Sequence, residues 1–134
     1  MKLTKAQRAT VRAMFGGRCS YCGCELGTLW HADHFEPCER KLKYDRVAGR
    51  IVHTGEFHKP ENNRLDNFMP ACPPCNIDKH MMKLEDWREK LARTLEVLQR
   101  NYPTYRHALR FGMLEEKPAP IVFYFERLSA KEAA

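Results

Sequence analysis

Long apolar runs are missing from this sequence. The longest, Ile121 to Phe125 (IVFYF), falls far short of the roughly 18 residues that a membrane-crossing helix needs. The first residues (MKLTKAQRAT) contain no apolar stretch of signal-peptide type, so a soluble, cytoplasmic protein is expected. Glycine and proline are also sparse, at 7 and 8 of 134 residues, which excludes a low-complexity or wholly disordered chain. No internal repeat, no flexible linker and no aromatic platform for stacking single-stranded RNA stands out. The length is that of one domain, and a single compact unit over residues 1–134 is expected.

What is present is positive charge and cysteine. Lys and Arg total 23 against 17 Asp and Glu, a formal net charge of +6 that favours polyanions such as nucleic acid. Six cysteines without a secretion signal imply a reducing compartment, where Cys-x-x-Cys spacings mark metal or redox sites and not a disulfide framework.

Local patterns define the elements. Thr4 to Phe15 has a helix signature: Thr4 and Gln7 are spaced as a capping box, Val11, Met14 and Phe15 share a face, and Gly16-Gly17 form a stop. Cys19 to Gly23 is a tight turn, and Leu29 to Phe35 (LWHADHF) a short strand. Residues 38–61 form an insertion, a hairpin or long loop that carries Arg40, Lys41, Lys43, Arg46 and Arg50 and includes Arg50 to His53 (RIVH). After Asn67, the CPPC of Cys72 to Cys75 feeds a helix beginning near Asn76. Leu84, Trp87, Leu91, Leu95 and Leu98 trace the core-facing stripe of one amphipathic helix. Asn101 and Pro103 open another helix ending near Gly112, and Ile121 to Phe125 carries the strongest strand signal. The class expected is α+β.

Cys19 and Cys22 form one C-x-x-C, Cys72 and Cys75 a second. Two such turns make the tetrahedral sulfur cage that Zn²⁺ prefers, and Gly23, free to take positive φ, lets backbone N–H groups turn toward the sulfurs. A closed four-sulfur site has no open position for substrate, so it holds structure together by tying the turn before the first strand to the turn before the Asn76 helix. Cys24 is a rival ligand to Cys22, and Cys24 and Cys38 are otherwise free thiols.

Three separated segments, CSYCG (19–23), HADHFEP (31–37) and LDNFMPACPPCNIDKH (65–80), occur in the order of the motifs of the HNH nucleases, the ββα-metal family. The chain resembles the zinc-bound, phage and bacterial members of that family over residues 18–82. The resemblance implies a zinc-stapled ββα-metal core with additional helices at either end, the carboxy-terminal extension running over 84–128. It implies a metal-dependent DNA endonuclease leaving 5′-phosphate and 3′-hydroxyl ends. His34 matches the general base, and a neutral imidazole can take a proton from water near neutral pH. Asp33 and Asn76 match ligands of a divalent cation, Mg²⁺ or Mn²⁺, whose preference for hard oxygen suits a carboxylate and an amide. Asn67 matches the central residue, which orients the base by a hydrogen bond and steadies the loop. With Asn76 where many members carry His, the pattern is an H-N-N variant. His80, one helical turn beyond Asn76, is a second candidate ligand.

The same resemblance leaves choices open at several positions. Lys79 is a phosphate contact or a solvated helix charge, and Arg40, Lys41 and Lys43 contact DNA or belong to a solvated face. His31 is a further phosphate or metal contact or packs at the strand start. Neighbouring strand residues point to opposite faces, so Asp33 and His34 serve one site only if the strand ends or bulges there. A helix opened by Asn76 would also aim its positive end at phosphate. The expected partner is DNA, double-stranded, with no membrane and with a homodimer or a phage or bacterial DNA-processing partner as further options. RNA ranks below DNA as substrate. The rival reading is a non-catalytic zinc module that binds DNA or protein.

Overall fold

The computed structural model describes residues 1–133, which form six α-helices and two antiparallel two-stranded sheets, an α+β fold. These residues make two compact units: one runs over Met1–Lys83 and resumes at Phe123, the other is Leu84–Val122.

In the first unit, helix α1 (Lys5–Ala13) starts as its sequence dictates. Thr4 Oγ1 accepts from the Gln7 backbone N–H at 3.2 Å, and Gln7 Oε1 accepts from the Thr4 N–H at 2.9 Å, which satisfies two donors that a bare helix start would strand. Val11 is its buried anchor, while Met14 is largely exposed. Arg12 ties the helix to the chain entering the first strand by donating to the carbonyls of Leu26 (2.7 Å) and Gly27 (2.9 Å). The cysteine turn follows, closed by the Gly23 N–H on the Cys19 carbonyl at 3.0 Å. Gly23 sits at φ +80°, and a β-carbon there would stand 2.8 Å from the Tyr124 ring, so both its backbone angle and its surroundings require glycine.

Strand β1 (His31–His34) pairs antiparallel with β4 (Phe68–Ala71), His31 opposite Ala71 and His34 opposite Phe68. Cys72 then caps α2 (Pro73–Lys79), so that β1, β4 and α2 make a ββα unit consistent with the ββα-metal core. The helix starts three residues before the expected Asn76, because Pro73 and Pro74 take first-turn positions whose N–H groups are unpaired in any helix. Asn76 therefore lies inside the helix, and the expectation that it marks a positive helix end fails. Between β1 and β4, strands β2 (Arg40–Asp45) and β3 (Arg50–Phe57) form a separate ribbon, followed by two short 3₁₀ turns at Pro60–Asn62 and Leu65–Asn67.

The expected strand at Ile121 to Phe125 is absent. Tyr124 opens helix α6 (Tyr124–Ala133), and the Glu126 carboxylate reaches back to the Phe123 N–H at 3.0 Å, half of a capping box. The N–H groups of Tyr124 and Phe125 instead find the carbonyls of Tyr21 and Ser20, both at 2.9 Å, so this apolar segment seals the first cysteine turn. Its rings follow: Phe123 lies 5.8 Å from Tyr21, and Phe125 5.7 Å from Phe35.

In the second unit, the Leu84 to Leu98 stripe is divided between α3 (Leu84–Ala92) and α4 (Thr94–Asn101). The Thr94 hydroxyl donates to the Leu91 carbonyl at 2.6 Å, a side-chain bond that competes with the helical ladder where the chain bends. Trp87 is the buried member of the stripe, and its four leucines are half-buried. Helix α5 (Pro103–Arg110) starts at Pro103 as expected, and Gly112 follows it at φ +68°. Glu116 accepts from both Gln99 and Tyr105, which fastens the chain beyond α5 to the helical pair.

Candidate functional site

Cys19, Cys22, Cys72 and Cys75 bring their sulfurs within 4.8 Å of one another, a group able to hold a metal ion. Cys19 and Cys72 are buried, Cys75 half-buried and Cys22 exposed, so the group sits at the rim of the core. The Cys75 thiol donates to the Cys19 sulfur and holds Cys19 at a pKa of about 4. The same bond, with burial, pushes Cys75 far above the usual thiol range. Burial also raises the Cys72 thiol, and thiols raised by burial and crowding are the electrostatic condition that a bound cation relieves. Cys24 lies outside this group; burial and the neighbouring Cys22 and Cys72 push its thiol up to about 12.

Beside the cluster lies a cleft of about 460 Å³ whose wall includes Asp33, His34, Asn76 and His80. Two separated parts of the sequence, the end of β1 and the end of α2, thus meet at one place. Asp33 and His34 both reach it because β1 ends at His34. His31 and Arg40 also line the cleft, whereas Lys41 and Lys43 stand along the ribbon, Lys41 3.4 Å from Glu56. His80 follows α2 at φ +51°, a backbone conformation disfavoured outside glycine, and Glu39, which also lines the cleft, adopts φ +55°.

Asp33 is held from two directions. Its Oδ2 accepts from the Tyr21 hydroxyl at 2.5 Å and from Lys79 Nζ at 3.0 Å. Lys79 is 0% exposed and also donates to the His34 carbonyl at 3.0 Å. It is therefore neither a solvated helix charge nor a phosphate contact: a cation with no surface cannot meet DNA, and its charge is spent on fixing β1. Burial and the Asp33 charge push the Tyr21 hydroxyl far above its ordinary pKa, so it remains a donor at neutral and alkaline pH. Replacing Lys79 with methionine should destabilise the protein by about 3–5 kcal/mol, because Asp33 is left buried without its counter-charge. Urea unfolding reads this directly, and a loss below ~1 kcal/mol would mean that the pair contributes little.

The base candidate and the central asparagine are arranged differently from expectation. His34 Nε2 lies 3.0 Å from Asn63 Oδ1, and its ring packs 4.5 Å from Phe68. An amide oxygen accepts only, so in this pairing Nε2 is the donor and Nδ1 is the nitrogen left clear of Asn63. Asn67 is buried and does not orient that ring. Its Oδ1 accepts from the Glu36 N–H (2.9 Å) and its Nδ2 donates to the carbonyls of Glu36 and Asn62 (both 2.8 Å), which fixes the loop after β1. Sequence reasoning missed Asn63 and Tyr21. Asn63 stands in an Asn-Asn pair four residues before Asn67, and Tyr21 lies between Cys19 and Cys22; neither position carries a periodic or motif signal of its own.

No family model and no solved structure matches the chain. A relative from Bacillus subtilis (strain 168), named "SPbeta prophage-derived putative HNH endonuclease YoqL", is 29% identical over 90 residues. The shared stretch covers 63% of this chain and 33% of the relative, so the match spans about a third of that protein's length. The α+β fold, the four-cysteine group and this similarity fit the HNH family. No helix of the described residues is long and apolar enough to cross a membrane.

Proposed function

We propose that the chain is a metal-dependent DNA endonuclease. The observation that carries the reading is the convergence of Asp33, His34, Asn76 and His80 on one cleft, on the β1–β4–α2 unit that the four cysteines tie together. The cysteines would hold a structural Zn²⁺. Asp33, Asn76 and His80 would hold one Mg²⁺ or Mn²⁺, and when bound it would supply positive charge against the phosphate and the leaving 3′ oxygen.

The residues divide the remaining work. Tyr21 and Lys79 occupy Oδ2 of Asp33, which leaves Oδ1 as the oxygen offered to a cation. With Nε2 committed to Asn63, His34 takes the proton of the attacking water at Nδ1. Asn67 holds the loop that carries the chain from β1 into the ribbon, and Arg40, Lys41 and Lys43 meet the DNA backbone.

Supercoiled plasmid incubated at low salt with Mg²⁺, Mn²⁺ or EDTA tests this. Nicking with the metals and none with EDTA is the expected result. Bound but intact plasmid under every condition would replace the nuclease reading by that of a non-catalytic zinc module.

A further inference from the structure

The β2–β3 ribbon stands outside the sheet under the cleft, and none of its residues is buried. Such a ribbon is marginal alone in water, yet this one exposes apolar side chains in a pattern. The register sets Leu42 opposite His53 and Tyr44 opposite Ile51, so these four share a face. Leu42 is 55%, Tyr44 64% and Ile51 64% exposed, and Val47, in the turn between the strands, 99%. Lys43 opposite Val52, and Asp45 opposite Arg50, define the other face. Arg40, Lys41, Lys43, Arg46 and Arg50 are balanced only by Asp45 and Glu56 between residues 40 and 57, so the ribbon is strongly positive.

The root of the ribbon is fixed at the cleft. Arg40 and Phe57 pair across the two strands, and both line it. Just before the root, the Glu39 carboxylate is 2.7 Å from Lys59 Nζ, and the carbonyls of Glu39 and Cys38 accept from the N–H groups of His58 (2.8 Å) and Lys59 (2.9 Å). These bonds set the direction in which the ribbon leaves the cleft.

We infer that the ribbon is a groove-reading arm, seated in the major groove of duplex DNA beside the phosphate held in the cleft. Leu42, Tyr44 and Ile51 lie against base edges and sugars, and Lys43, Arg46 and Arg50 reach the flanking phosphates. The major groove is about 12 Å wide and admits a two-stranded ribbon. Charge selects this occupant over a second copy of the chain, since two such basic ribbons repel. The inference rests on the nuclease reading and adds the element that grips the duplex and the groove it enters.

Fluorescence anisotropy of the full zinc-loaded chain without added Mg²⁺ or Mn²⁺, with a labelled 20-base-pair duplex and the single strand of the same sequence, tests it. Leu42→Thr/Tyr44→Thr/Ile51→Thr keeps β-forming side chains at exposed positions and should weaken duplex binding about tenfold or more, with less than about a twofold change for the single strand. Lys43→Ala/Arg46→Ala/Arg50→Ala should flatten the slope of log affinity against log salt on the duplex by about 2.7, at ~0.9 for each phosphate contact removed. The second variant decides if circular dichroism shows the first to be misfolded. An unchanged duplex-to-single-strand ratio in the folded threonine variant, or an unchanged salt slope, overturns the arm and leaves the nuclease reading standing. A wild-type dimer that the threonine variant splits assigns the face to a second copy and overturns it too. Wild-type protein that binds neither DNA overturns the nuclease reading itself.

Discussion

His34→Ala should lower plasmid cleavage by about 10²–10⁴-fold, the usual contribution of a positioned general base, while leaving the fold intact. The ring is half-buried, and its contacts are Asn63 and the Phe68 ring, so its removal strands no buried charge. Wild-type and variant proteins are compared for initial nicking rate, thermal midpoint and bound zinc. Retained zinc and a midpoint within a few degrees, with cleavage lost, assign a catalytic role. A parallel fall in stability and cleavage would make His34 a packing residue and remove it from the mechanism.

Cys72→Ser should have the opposite signature: loss of metal and of cooperative folding together. Cys72 is buried, caps α2, and lies 3.7 Å from the Cys22 sulfur, so it joins the two cysteine turns at the helix start. Structural zinc contributes on the order of 10–16 kcal/mol in small zinc domains at neutral pH. That is comparable with or larger than the ~5–15 kcal/mol net stability of an ordinary domain, so little would remain without it. Circular dichroism and a colorimetric zinc assay on wild type, Cys72→Ser and chelator-treated wild type report the coupling. A folded, zinc-loaded Cys72→Ser protein would show that the sulfur group is not the metal site.

The parts of the structure readable from sequence were those whose signals are local or chemically specific. Thr4 with Gln7 marks a helix start because both partners lie in one turn. The paired C-x-x-C turns announce a four-sulfur group because each turn sets two sulfurs side by side and the second turn can close on the first. What escaped was decided by partners distant in the chain. Ile121 to Phe125 has every β-forming feature, yet its hydrogen bonds go to carbonyls near residue 20, and Glu126 draws the following residues into a helix. The Leu84 to Leu98 stripe has helical period throughout, which periodicity alone cannot distinguish from two helices joined by a bend at Arg93. Lys79 is the plainest case: a lysine near the end of a short helix reads as a phosphate contact or a solvated charge, and only the fold brings Asp33 and the His34 carbonyl to it.

The sealing of the first cysteine turn by Tyr124 and Phe125 sets an order on biosynthesis. Residues 84–122 stand between the second cysteine turn and the segment that closes the first, and a ribosome adding ~5–20 residues per second needs several seconds to cross them. All four thiols have by then left the peptidyl-transferase centre, but the backbone cover over Ser20 and Tyr21 has not. Metal capture could thus precede completion of the core, and a cation taken up by the nascent chain would sit in an open nest before the backbone around it is complete.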